Sequence, residues 1–224
     1  MHGKDEETYQ RTLTTTTGAN RGIADYSTTN DSYAVFGEST LNFTEDFRGI
    51  AGLRWTHDDL KYDHRRVSTS ATTVSGIQPG TQSSGSVDED GWSGRLGLQY
   101  DLSATVTSYL TYSRGYKGPA YNVFFNMQPR DTQALKPETS NTWEVGIKAS
   151  SWNNRLTTNL AVFHSEYDNY QANFFDTVAG QVVTRLINAG SVSSEGVELD
   201  YALQATQQLK FSGALAYTCL LYTS

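Results

Sequence analysis

Gly91-Trp92-Ser93-Gly94-Arg95-Leu96-Gly97-Leu98-Gln99-Tyr100 is the stretch that decides the fold. Successive side chains of an extended strand point to opposite faces. Trp92, Gly94, Leu96, Leu98 and Tyr100 therefore share one face, and Ser93, Arg95, Gly97 and Gln99 share the other. The same period of two returns along the chain. Trp143, Val145, Ile147 and Ala149 alternate with Thr142, Glu144, Gly146 and Lys148. Val197, Leu199, Tyr201 and Leu203 alternate with Glu198, Asp200, Ala202 and Gln204. Leu209, Phe211, Gly213, Leu215 and Tyr217 alternate with Lys210, Ser212, Ala214 and Ala216. No segment sustains a helical period.

The connections sort by length. Short turns at 44–46, 101–104, 151–154 and 205–208 alternate with long polar stretches at 17–31, 64–90, 118–140 and 176–181. Outer-membrane barrels sort their connections in this way, with short periplasmic turns and long extracellular loops. The pattern predicts about nine strands, at 7–16, 32–43, 47–62, 91–100, 105–117, 141–150, 155–175, 182–204 and 209–218. The expected fold is all-β, an antiparallel up-and-down transmembrane β-barrel wall. It is incomplete, because an odd, open set of strands would leave unpaired backbone groups in hydrocarbon. Residues 1–31 are expected to form a weakly defined strand and loop, and 32–218 the barrel segment proper. Tyr33 and Phe43 lie ten residues apart on one face. At ~3.3 Å per residue and a tilt of ~40° they are separated by roughly 25 Å along the membrane normal, the height of the apolar band between aromatic girdles.

Composition agrees. Of the 224 residues 37% are hydrophobic and 12% aromatic, with 14 Tyr. A mean hydropathy of −0.52 excludes a bundle of membrane helices but suits a barrel, whose strands are apolar only at alternate positions. A net charge of −7 lacks the basic stripe that nucleic acid requires, so no nucleic-acid partner is expected. With Cys219 as the one cysteine, neither a disulfide framework nor a thiolate metal site is available. His57, Asp58, Asp59 and His64 could be considered for a metal, but strand spacing puts His57 and His64 on opposite faces. No nucleophile elbow, phosphate-binding glycine loop or zinc-helix motif is present, so neither an enzyme nor a cofactor is expected.

A further set of residues resembles a family. Tyr109-Leu110-Thr111-Tyr112-Ser113-Arg114-Gly115-Tyr116-Lys117-Gly118 looks like an ascending strand ending in an aromatic-Lys-Gly rim. Leu135-Lys136-Pro137-Glu138-Thr139-Ser140, followed by Trp143-Glu144-Val145-Gly146-Ile147-Lys148, is similar to a Pro-Glu…aromatic-Glu-x-Gly-x-Lys signature. Residues 155–163 with Tyr167, Asp168 and Gln171 look like the next ascending strand, and Asn188-Ala189-Gly190 with Gly196-Val197-Glu198-Leu199 like the descending one. In this order and spacing they resemble the TonB-dependent outer-membrane receptors.

That resemblance implies a location in the bacterial outer membrane and a role in importing an iron-siderophore or similar scarce ligand. It also implies a plug domain packed against the polar wall and a TonB energy-transducing complex acting through that plug. Plug, coupling box and closing strand have no counterpart here, so transport is expected to need parts beyond this polypeptide. The alternatives are a passive porin or fatty-acid channel, and a soluble all-β binding or carbohydrate-active module.

The stretch 118–140 carries Tyr121, Asn122, Phe124, Phe125, Asn126 and Arg130, aromatic and hydrogen-bonding groups suited to a bulky chelate. These are the expected ligand contacts; the competing reading is a loop folded over its own aromatics. Both termini are expected to be non-native. Met1-His2-Gly3-Lys4-Asp5 offers no apolar leader, so Met1 is not expected to be the native start. Cys219-Leu220-Leu221-Tyr222-Thr223-Ser224 reads as a translation of TGTCTCTTATACACATCT, similar to the end of a transposase sequencing adapter.

Overall fold

The structure, a computed structural model, describes residues 2–223. Met1 and Ser224, with the expectations placed on them as a non-native start and as the last residue of an adapter-derived tail, lie outside the described residues. Nine strands form one antiparallel sheet in the order β1 (His2–Thr14), β2 (Arg21–Asn42), β3 (Phe47–Ser68), β4 (Thr81–Ser103), β5 (Val106–Lys117), β6 (Glu138–Ser151), β7 (Leu156–Asp168), β10 (Ser191–Gln204) and β11 (Lys210–Thr223). Between β7 and β10 the chain leaves the sheet as a separate hairpin, β8 (Gln171–Val178) and β9 (Gln181–Asn188). Apart from that excursion each strand pairs with the next, and the sheet stays open at β1 and β11.

Register sorts the side chains as alternation requires. The ladder Leu98–Leu110–Val145–Val162–Val197–Tyr217 crosses six strands on one face. Two residues along, Leu96–Tyr112–Trp143 runs parallel to it. This apolar face is open: Leu96 is 60% exposed, Val145 53% and Leu215 68%. An apolar face crossing eight of the nine strands, from β2 to β11, is untenable in water and required in hydrocarbon. Tyr33, Trp55, Trp92, Trp143 and Tyr217 mark its upper border, and Phe43, Phe47, Tyr100, Tyr201 and Phe211 its lower one. The upper border slips along the ladder: Trp143 stands level with Leu96, four residues beyond Trp92. Tilted strands produce that slip, because a line of constant height crosses the ladders obliquely.

The strands run well past the membrane. β3 has 22 residues, whereas about ten suffice to cross a bilayer at barrel tilt. The expected long stretches 17–31 and 64–90 are therefore mostly strand, with connections of only 15–20 and 69–80. Alternation of apolar and polar residues fades there because lipid no longer requires one face to be apolar. Pairing instead holds the strands extended without interruption from Asn42↔Arg48 to Gly22↔Ser68, and from Phe47↔Tyr100 to Arg66↔Thr81. The expected single strand 155–175 is β7 followed by β8, and 182–204 is β9 followed by β10. Asn169 (φ 53°) and Gly190 (φ 80°) turn the chain out and back in left-handed conformations. Residues 219–223 continue β11, Cys219 opposite Glu195.

Candidate functional site

The polar face carries a chain of paired charges. Arg95 grips Glu38 with two hydrogen bonds, 2.7 and 2.8 Å. Arg48 grips Asp101 likewise at 2.7 and 3.1 Å, and Asp101 also accepts from Thr107 at 2.6 Å. Tyr109 donates to Glu144 at 2.8 Å while the Lys148 ammonium sits 5.2 Å from the same ring. Every one of these groups would be costly facing lipid and is at home facing water or protein. This is the lumen side of the wall.

Above the membrane the lumen side is roofed. Even-numbered residues of β3 continue the lumen face as Asp58, Leu60, Tyr62, His64 and Arg66, all buried. The connection 118–137 lies over them. Tyr121 packs on Tyr62, ring centroids 4.6 Å apart. Arg66, 5% exposed, donates to the carbonyls of Phe125 (2.8 Å), Met127 (3.4 Å) and Pro79 (2.9 Å). His64 contacts the Phe125 carbonyl at 3.4 Å, and burial pulls its imidazole below the usual histidine range. Pro79 belongs to the 69–80 connection, which adds two contacts of its own: Asn126 donates to the Gly76 carbonyl at 2.7 Å and accepts from the Gln78 amide at 3.4 Å.

The β8–β9 hairpin clasps the same connection from the other side. The Asn122 amide exchanges both its hydrogen bonds with the Leu186 backbone, 2.8 Å out and 2.7 Å back, as a peptide neighbour in a sheet would. Arg185 lies between Asp131 and Asp176, and Arg130 reaches Asp176 at 2.6 Å. Burial and the facing Arg130 lower the Arg185 guanidinium from its ordinary value. At the roots, Gln171 binds the Gly118 and Lys136 carbonyls and the Glu138 carboxylate, and Asn188 binds both sides of Lys136.

The residues expected to touch a ligand are thus brought together, and each has a partner within the protein. Phe125 and Asn126, each 2% exposed, face the floor. Tyr121 packs at a tilt against Tyr62, Asn122 clamps the hairpin and Arg130 pairs with Asp176. Phe124 is half-buried, and its carbonyl accepts from Met127 at 3.1 Å. Sequence reasoning missed the hairpin, which displays Phe175 at 76% exposure and Val182 at 74% on the face opposite Arg185 and Asp176. The signal was present in Val178-Ala179-Gly180-Gln181: two residues with φ near +54° and +77° between paired flanks make a tight hairpin turn. His57 and His64 do lie on opposite faces, His57 bonding Asp90 at 2.9 Å. Among the described residues no group of three or more His, Cys, Asp or Glu could hold a metal.

An open antiparallel wall with a lipid face, a charged lumen face and an extracellular roof defines a portion of a large transmembrane β-barrel. The chain belongs to the family described as TonB dependent receptor-like, beta-barrel, whose model matches residues 3–224. It is accordingly part of a bacterial outer-membrane barrel. The metal-pseudopaline receptor CntO of Pseudomonas aeruginosa is 26% identical over 187 residues, 84% of this chain and 24% of that protein. The catecholate siderophore receptor Fiu of Escherichia coli is 25% identical over 165 residues, 68% of this chain and 22% of that protein. The chain spans about a quarter of the length of these relatives. In fold it is similar to the ferric yersiniabactin uptake receptor FyuA from Yersinia pestis, with a TM-score of 0.79 at 18% identity over 99% of this chain and 32% of that one. The copper transporter OprC superposes with a TM-score of 0.64 at 15% identity, over 90% of this chain and 35% of that one.

Proposed function

We propose that this chain is the wall and part of the extracellular roof of a receptor that binds a ferric siderophore, or a similar metal chelate, and imports it with TonB-derived energy. Family membership carries the reading, and the names of the relatives, a metal-pseudopaline receptor and a catecholate siderophore receptor, supply the ligand class. The charged lumen face suits contact with a plug, and membership of a transport-receptor family supports reading the chain as a receptor and not an enzyme. Tyr121, Asn122, Phe124, Phe125, Asn126 and Arg130 are proposed as ligand contacts, joined by Phe174 and Phe175 of the hairpin. Phe124, Arg130 and the hairpin phenylalanines are accessible in this conformation; Phe125 and Asn126 become so only if the roof rises.

The test is uptake of radiolabelled iron by a siderophore-receptor-deficient strain carrying the complete receptor, offered ferric catecholate, hydroxamate and carboxylate chelates in turn. Uptake of one class that vanishes when tonB is deleted is the expected result. Uptake that survives the deletion identifies a passive channel and overturns the proposal.

A further inference from the structure

We infer that the 118–137 connection and the β8–β9 hairpin are one rigid lid, which parts from the barrel along a single line above β3 and the 69–80 connection. The inference concerns mechanics and does not depend on which ligand the receptor takes.

The contacts divide into two kinds. Those within the pair are numerous and placed at both ends. At the outer end are the two-way Asn122–Leu186 clamp and the Asp131–Arg185–Asp176–Arg130 run. At the root, Gln171 and Asn188 tie the hairpin's first and last residues to Gly118 and Lys136. Two segments held at base and tip by hydrogen bonds of this density cannot slide past one another without exposing buried Asp131 and Arg185 together. The contacts to the floor are of another character. They include the ring contact of Tyr121 with Tyr62, the buried Phe125 ring beside Gly22, the Gln181 side chain beside Gly76, the Ser83 hydroxyl at the Met127 sulfur, Asn126 with Gly76 and Gln78, and loop carbonyls held by Arg66 and grazed by His64.

Backbone carbonyls are the feature that fixes the parting line. Phe125 and Met127 lend only oxygens to Arg66, and such oxygens can exchange a guanidinium for water when the lid rises. Arg185, in contrast, is enclosed by two carboxylates that would travel with it. Arg66 is therefore the latch, and the Asn122–Leu186 and Arg185 contacts are the frame of the lid.

Spin labels test this in the complete receptor reconstituted in lipid nanodiscs. One pair, Thr132→Cys with Thr184→Cys, reports within the lid; a second, Thr132→Cys with Thr72→Cys, spans the parting line. All three sites are exposed. In the Arg66→Met background the spanning pair is expected to shift to longer distances, with an opened population about tenfold larger, the scale set by losing charge-assisted hydrogen bonds. The pair within the lid should keep its distribution. Spreading of both pairs, or of neither, overturns the inference. Should Arg66→Met fail to yield a folded barrel, Asn126→Ala, which removes only the bonds to Gly76 and Gln78, must give the same pattern at smaller amplitude. As a second arm, an Asn122→Cys/Leu186→Cys disulfide should leave the opening untouched; suppression of opening by that disulfide would show the two segments moving separately.

Discussion

Leu96 lies midway between Trp92 and Tyr100 on the lipid face of β4. Four residues at ~3.3 Å, foreshortened by a tilt of ~40°, place it roughly 10 Å from either border, close to the bilayer midplane. An arginine there must carry its charge into hydrocarbon or bend outward past the aromatic row, at a cost of ~2–4 kcal/mol. Leu102, also exposed, lies beyond Tyr100, where the same change costs ~0–1 kcal/mol. Thr111 faces the lumen opposite Gly97 and Glu144, and an arginine at that position meets water and a carboxylate. The expected order of destabilisation is therefore Leu96→Arg, then Leu102→Arg, with Thr111→Arg changing stability by no more than about 0.5 kcal/mol. Equilibrium denaturant unfolding of the receptor in phosphocholine vesicles, followed by tryptophan fluorescence, measures all three. If Thr111→Arg proved as damaging as Leu96→Arg, the assignment of faces would be refuted.

Phe125→Ala should loosen the roof by ~3–5 kcal/mol, the usual result of emptying a buried aromatic site; hydrogen exchange across 118–137 reports it, and unchanged protection would count against the roof. Ala179 occupies a left-handed conformation at φ 54°, so Ala179→Gly should stabilise the β8–β9 hairpin by ~1 kcal/mol. Slower exchange of the β8 and β9 amides would bear this out, and faster exchange would rule it out. His64 titrates lower in the closed roof than in the open chain, because burial and Arg66 disfavour its charged form. The closed state thus binds fewer protons: its stabilisation is present above the ordinary histidine value of about 6.5 and is lost as pH falls toward the lowered one. Exchange of 118–137, corrected for its intrinsic pH dependence, should accelerate as pH falls below the ordinary histidine value of about 6.5. That acceleration should disappear in His64→Gln.

The membrane-embedded part of the fold was legible because lipid imposes a strict rule. Every second residue from Trp92 to Tyr100 must be apolar or small, and the rule leaves a visible period. Above the membrane no such rule operates. Residues 21–31 and 81–90 are strands rich in Thr, Ser, Asp and Gly, held by their neighbours' ladders, and composition alone reads them as loops. The hairpin was hidden for a related reason: β7 and β8 are joined by two residues, so alternation runs through Asn169 and Tyr170 with little break. At the candidate site, residue types revealed that 118–140 carries chemistry. They could not reveal that Asn122, Asn126 and Arg130 spend their hydrogen bonds on Leu186, Gly76 and Asp176, partners 46 to 64 residues away.

The slip of the upper aromatic border has a geometric consequence. From Tyr33 on β2 to Tyr217 on β11 the border descends eight residues across seven strand-to-strand steps. At ~3.3 Å per residue and ~4.8 Å per step, that ratio is the tangent of about 40°, within the range of closed barrels. The open sheet therefore already has the pitch of a complete cylinder, like a sector cut from a screw thread. Its two free edges meet any neighbouring wall at different heights, and a chimaera that grafts this sector into another receptor must preserve the offset. A graft trimmed flush at both ends would drive its aromatic rows out of the two interfaces they mark.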